Sequence, residues 1–164
     1  MATPTYTQIA TYTFTNSTTQ TITFASIPST FRDLVFSFGG ARTGGVADEN
    51  MHIRLNGDTG SNYYWLRMRA DSGGYASDGG ADSQIQIGRF KLNELSTANF
   101  SVMDYSATDK HKTVISRSAS SDDWVVASVG RWADTSAVTS VTFRWGTTTN
   151  FTSGSVLSLY GIEA

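Results

Sequence analysis

The sequence predicts an all-β fold, an antiparallel two-sheet β-sandwich of the jelly-roll kind. Three observations predict it. Apolar residues recur at every second position from one end of the chain to the other, which is the period of a half-buried strand. No stretch holds the i, i+3, i+4 spacing of a helix, so nothing is available to carry parallel crossovers. The two prolines, Pro4 and Pro28, fall outside the best strands, as their missing amide donor requires.

The strands can be read in order. Tyr12 and Phe14 alternate with Thr11, Thr13 and Thr15, and the turn-rich Asn16-Ser17 follows. Ile22 and Phe24 alternate with Thr21 and Thr23. Leu34, Phe36 and Phe38 share a face that ends at Gly39-Gly40. Ile53 and Leu55 alternate with His52 and Arg54, and Asn56-Gly57-Asp58 makes a strong turn. Tyr64, Leu66 and Met68 oppose Trp65, Arg67 and Arg69. Ile85 and Ile87 alternate with Gln84 and Gln86, but Phe90 has the wrong parity for their face, so Gly88 predicts a bulge or kink. Phe100 and Val102, then Val114 and Ile115, flank the polar stretch Ser106 to Lys112. Three more strands are expected around Trp124–Val129, Val138–Trp145 and Ser155–Ile162. The segments Ala41–Asn50 and Asp71–Asp82 are Gly-rich and polar and are expected to be long loops, while Lys91–Leu95 is the one place for a single helical turn.

Two late strands are apolar on both faces. Trp124 and Val126 oppose Val125 and Val129, and Val156 and Tyr160 oppose Leu157 and Leu159. An antiparallel sheet with one wet face should be polar at alternate residues, so each second face is expected to be covered by this chain or by another subunit.

The composition bounds the rest. The 164 residues carry no linker-like block and suit one domain, 1–164, with the polar segment 1–7 as an N-terminal arm. Ser and Thr make up about a quarter of the chain, and Thr tolerates a half-exposed strand. Aromatics at 12% and a net charge of −2 mark a folding chain. The twelve Lys and Arg are scattered along the sequence, which argues against nucleic acid. No positive residue precedes Arg32 and no apolar run opens the chain, so neither a secretory signal nor a membrane span is expected. With no cysteine, disulfides, thiolate zinc sites and Cys nucleophiles are excluded.

No constellation points to catalysis. His52 and His111 are the only histidines and have no metal-ligand spacing; parity with Arg54 predicts that His52 faces solvent, and His111 sits in a charged turn. Glu49, Glu94, Asp104, Asp123 and Glu163 fall mostly in turns or at strand ends, where solvation accounts for them better than a glycosidase pair. The run from Asp71 to Asp82 is the best metal candidate, since spaced carboxylates on a flexible backbone could wrap calcium, but its register is not that of an EF-hand. The aromatics Tyr63-Tyr64-Trp65, Trp124, Trp132 and Trp145 suggest a sugar platform, against the plainer reading that they fill the core; at least one ring of the triplet must point outward. The triplets beginning at Asn16, Asn99 and Asn150 match the glycosylation pattern, as chance allows in so Ser/Thr-rich a chain. No catalytic residue, cofactor site or metal site is therefore assigned.

Several phrases stand out, in order over nearly the whole chain. They are Tyr12-Thr13-Phe14-Thr15-Asn16-Ser17, Ile22-Thr23-Phe24-Ala25-Ser26-Ile27-Pro28, Phe31-Arg32-Asp33-Leu34-Val35 and Asn56-Gly57-Asp58-Thr59-Gly60-Ser61-Asn62-Tyr63-Tyr64. Asp104-Tyr105, Lys112-Thr113-Val114 with Ser116-Arg117-Ser118, and Ser158-Leu159-Tyr160-Gly161-Ile162 complete the set. Together they resemble a family of tailed-phage virion proteins of cyanobacterial and marine phages, and the resemblance implies a β-sandwich component of the virion, made in the bacterial host's cytoplasm and placed on the capsid surface. It further implies a decoration (cement) protein, a homotrimer bound to the major capsid protein, with no enzymatic activity. The rival expectations are a tail or head fibre module binding host-surface glycans, and a sandwich-fold glycan hydrolase or calcium-dependent lectin.

Overall fold

A computed structural model describes residues 5–121, 124–146 and 148–163. It is an all-β, antiparallel sandwich. The larger sheet has eight strands in the order β1 (Tyr6–Thr13), β14 (Val156–Ile162), β3 (Asp33–Gly40), β9 (Ser96–Met103), β10 (Lys112–Ser120), β11 (Val125–Trp132), β6 (Tyr63–Asp71) and β7 (Gly74–Asp82). The smaller has four, β2 (Thr21–Phe24), β12 (Val141–Arg144), β5 (Asp48–Leu55) and β8 (Ile85–Lys91). A two-stranded ribbon, β13 (Asn150–Phe151) with β4 (Arg42–Thr43), closes one end.

The core lies between the sheets and is built by the alternation seen in the sequence. Leu34, Phe36 and Phe38 stand opposite Val102, Phe100 and Ala98 on one inner face, and all six are buried. Ile53 and Leu55 stand opposite Phe143 and Val141 on the other. Rings from both sheets meet edge-on, as Phe36 with Phe143 at 5.0 Å and Phe38 with Phe90 at 5.9 Å, the arrangement ring quadrupoles favour. Strand β8 packs closely over β10 and β11 because its floor is shaved to small side chains: a Cβ on Gly130 would lie 2.5 Å from Ile85 and one on Gly88 2.7 Å from Phe90 and Ser118.

Several expectations need correction. Tyr6 and Thr7 are not part of an arm, because they pair with Ile162 and Gly161 as the first residues of β1; residues 1–4 lie outside the described residues. The Asp71–Asp82 segment is not a loop but a turn and an edge strand, β7, laddered to β6 along its length. The Ala41–Asn50 segment contains β4 and the start of β5. Lys91–Leu95 forms a non-helical turn with Asn93 at φ 60°. The predicted bulge is present: Met51 faces Gly88 and His52 faces Gln86, so Ile87 is the extra residue. A second bulge, at Ile9 in β1, has no counterpart in the sequence reading.

Buried cations and phenols hold the connections. Arg42 is fully buried and donates to the carbonyls of Phe90 (2.8 Å), Gly44 (3.2 Å), Val46 (2.8 Å) and Ala47, which fixes the turn between β4 and β5. Lys112 Nζ, also buried, donates to the carbonyls of Ala107, Lys110 and Thr135 at 2.6, 2.9 and 3.2 Å. Burial pulls both cations below their ordinary pKa values. The Tyr63 hydroxyl, its pKa pushed up to about 12 chiefly by burial, accepts from the Leu55 N–H at 3.1 Å and shares its one proton between the carbonyls of Leu55 and Asp58, both at 3.2 Å.

Candidate functional site

Two outward surfaces remain once the core is accounted for, and they differ in chemistry. The first is the outer face of the eight-stranded sheet. Its registers place Ile115 opposite Val129, Val129 opposite Leu66, and Ala127 between Arg117 and Met68. Met103 adjoins Thr113 across β9 and β10, and Tyr75 adjoins Ala70 at the β6–β7 end. Tyr64, Leu66, Met68, Tyr75, Met103, Ile115, Val125 and Val129 are all substantially exposed there, with Met68 at 63% and Val125 at 62%. Arg131 lies over the Tyr64 ring at 5.4 Å. Towards β3 and β14 the same face mixes the polar Ser37, Ser101, Asn99 and Ser158 with the half-buried Val35, Tyr160 and Ile162. The strongly exposed apolar side chains are thus concentrated in the half formed by β9, β10, β11, β6 and β7, with Tyr6 standing apart on β1.

The expectation that something covers the second face of the late strands is resolved differently for each. In Trp124–Val129 the inner residues Trp124 and Val126 are buried, while Val125 and Val129 stand open, so no described part of this chain covers them. In β14, Val156, Tyr160 and Ile162 are half-buried among neighbouring strands. Gly161 stays bare because a Cβ there would collide with the Phe31 ring at 2.2 Å.

The second surface is the outer face of the four-stranded sheet, extended by the β6–β7 hairpin. Asn50, His52 and Arg54 alternate with the buried Met51, Ile53 and Leu55 on β5. Arg144 and Gln86 flank His52 on the neighbouring strands, and Arg89 is opposite Asn50. Past the β8 edge, Arg67 of β6 donates from Nε and Nη2 to both oxygens of Asp78 (2.6 and 2.8 Å) and from Nη1 to Asn50 Oδ1 (2.6 Å). The hairpin is thereby tied to the outer face of β5. Arg69 and Arg89 both lie over the Trp124 ring, at 5.7 and 4.6 Å, and the Trp124 indole donates to Asp48 Oδ1 at 2.7 Å.

His52 corrects an expectation. Its parity does point away from the core, yet it is 8% exposed because Arg144, Gln86 and the β6–β7 hairpin crowd over it. Burial lowers its pKa to about 4; Asp82 opposes the shift, and Arg144, Arg67 and Arg54 reinforce it. His111 is exposed at the head of β10.

Among the described residues the candidate acids do not converge. Glu49 accepts from the Asn50 amide, Glu94 from Ser121, Asp104 pairs with Lys110 at 3.5 Å, and Glu163 accepts from Thr7. Asp123 lies outside the described residues. The calcium-loop reading of residues 71–82 fails on geometry. Asp78 and Asp82 sit four residues apart on an extended strand, roughly 13 Å, and Asp78 is already paired with Arg67. Among the described residues no three His, Cys, Asp or Glu side chains gather to hold a metal ion. The aromatic platform does not form either, since Tyr63, Trp132 and Trp145 are core and Trp124 is buried beneath guanidinium groups. Within the triplet, Tyr64 is the ring that points outward.

No protein-family profile matches the chain, and no curated protein matches it by sequence. Among solved structures, it is similar to the galectin LEC-6 of Caenorhabditis elegans at 14% identity and a TM-score of 0.37, over 92% of this chain and 95% of that one. It is also similar to the PL-14 alginate lyase of Aplysia kurodai at 9% identity and a TM-score of 0.38, over 83% and 70% of the two chains. The fold class stated above rests on the chain's own ladders.

Proposed function

We propose that this protein is a non-catalytic virion component that decorates a tailed-phage capsid, assembling with copies of itself and docking on the major capsid protein. The apolar half of the eight-stranded sheet's outer face carries the reading. Eight large side chains there expose on the order of 100 Å² each, which together approach the roughly 800 Å² per partner that a stable interface needs. Monomeric proteins rarely leave so large a contiguous apolar patch to water. The occupant is a neighbouring copy of this chain, the contact repeating heterologously around a closed three-fold ring. The ordered phrases that resemble phage virion proteins supply the rest of the reading, namely a homotrimer on a capsid lattice.

The test is the solution mass, then the shell. Light scattering should give three times the 17.7 kDa chain mass, and Leu66→Glu with Val129→Glu should reduce it to one. Purified tailed-phage capsids should melt higher with the wild-type protein than with the double variant. A wild-type monomer that leaves capsid melting unchanged overturns the reading.

A further inference from the structure

The outer face of the four-stranded sheet gathers charge that the linear sequence disperses. Five of the nine arginines, Arg54, Arg67, Arg69, Arg89 and Arg144, come from β5, β6, β8 and β12 to this one surface. Asp48, Asp78 and Asp82 are interleaved with them, so the face is positive in a chain whose net charge is −2.

A second, independent observation bears on the same place, which holds five of the eleven such atoms among the described residues. Buried polar atoms ordinarily find a partner, and one left without costs about 1–3 kcal/mol. Here Nδ1 of His52, Nε1 of Trp65, Nε of Arg69, Oε1 of Gln86 and Nε of Arg89 are all closed off from water without a hydrogen-bond partner among the described residues. His52 is itself more than nine-tenths buried. The unmet set includes indole and guanidinium N–H donors and an amide acceptor. It therefore suits a ligand that offers both kinds of group.

We propose that this face binds an acidic saccharide. Carboxylates of the sugar chain meet the guanidinium groups of Arg69 and Arg89, which no short carboxylate contact within the described residues engages: the nearest, Arg89 to Asp48, is 3.6 Å. Sugar hydroxyls, which donate and accept, meet the part-exposed side chains of Gln86 and Asp82. The interleaved acids favour this class over nucleic acid, because they would repel a dense phosphate backbone, and the face carries no lysine array to offset them. Arg67 is a positioning residue, since its bonds to Asp78 and Asn50 set the hairpin against the sheet. The site lies on the opposite side of the sandwich from the apolar patch, so it does not depend on the assembly reading.

Calorimetry at low salt with oligogalacturonate as the probe tests it, with neutral dextran and oligo(dT) alongside. Wild-type protein should bind oligogalacturonate and neither of the others. Arg69→Gln with Arg89→Gln should weaken binding by about tenfold or more, as the loss of two charge-assisted contacts implies. Arg117→Gln with Arg131→Gln on the far face should leave it unchanged, and so should Leu66→Glu with Val129→Glu. Melting temperatures of all variants confirm that each is folded. Absence of oligogalacturonate binding overturns the proposal. Binding that survives the Arg69/Arg89 change also overturns it, as does equal binding of oligo(dT), which would mark a general polyanion surface.

Discussion

Acidification from pH 7 to pH 4 should weaken this fold through one residue, His52. The histidine is neutral in the folded protein because burial holds its pKa near 4, against 6.5 when free. Between those values the unfolded chain binds a proton that the folded one refuses, so acid favours unfolding. The contribution is fully present above pH 6.5, declines as pH falls towards 4, and is exhausted below that. The difference of 2.5 units, at 1.36 kcal/mol each, is about 3 kcal/mol. That is a large share of the roughly 5–15 kcal/mol that holds a domain together. Guanidinium unfolding of the wild type and of His52→Gln at pH 7.5, 5.5 and 4.5 reads it directly. The wild type should lose stability across the series and the variant should lose far less. His111 is common to both proteins and cancels. Asp58, held down by the Trp132 indole bond, and Asp78, held down by Arg67, act in a lower window, because depressed carboxylates lose their contribution only as pH falls through and below the ordinary carboxylate range. Parallel curves for the two proteins between pH 7.5 and 4.5 would refute the assignment of the acid loss to His52.

Other perturbations test the packing. Arg42→Met removes four donor contacts and leaves buried carbonyls at Phe90, Gly44, Val46 and Ala47, a loss on the order of 3 kcal/mol that should appear as a lower unfolding midpoint. Lys112→Met should lower the midpoint too and should raise proteolysis in 104–112, since it frees the carbonyls of Ala107, Lys110 and Thr135. Gly130→Ala drives a methyl into Ile85 at 2.5 Å and should cost about 1–3 kcal/mol by thermal melting. Arg69→Gln on its own should leave the midpoint within about 0.5 kcal/mol of wild type, as expected of a partly exposed side chain without a short ion pair.

The architecture was largely legible because its signal is local. Leu34, Phe36 and Phe38 declare an inner face by spacing alone, and the parity break at Phe90 located the bulge beside Gly88. The doubly apolar Trp124–Val129 segment announced the exposed side of β11 for the same reason. Strand β7 escaped notice because Gly74–Asp82, Tyr75 apart, is written in Gly, Ala, Ser and Asp, residues poor in strand propensity but fitting for an edge. Its Gly79 has a steric reason invisible in sequence: a Cβ would sit 2.4 Å from the Trp65 carbonyl. The arginine-rich face was illegible because its members lie on four strands, which only the sheet order and the reach of Arg67 past β8 bring together. His52 failed in a related way. Its parity was read correctly, but the burial comes from residues distant in sequence, Arg144 and Gln86.

The division of labour between the two outer faces can be tested on a chain with no cysteine of its own. Met68→Cys places one thiol on the apolar face and Thr21→Cys places one on the rim of the polar sheet, both at exposed positions. Maleimide labelling is then followed as protein concentration rises. The account predicts that Cys at position 68 becomes protected as copies associate while Cys at position 21 reacts at a constant rate. Equal reactivity of the two positions at every concentration would contradict it.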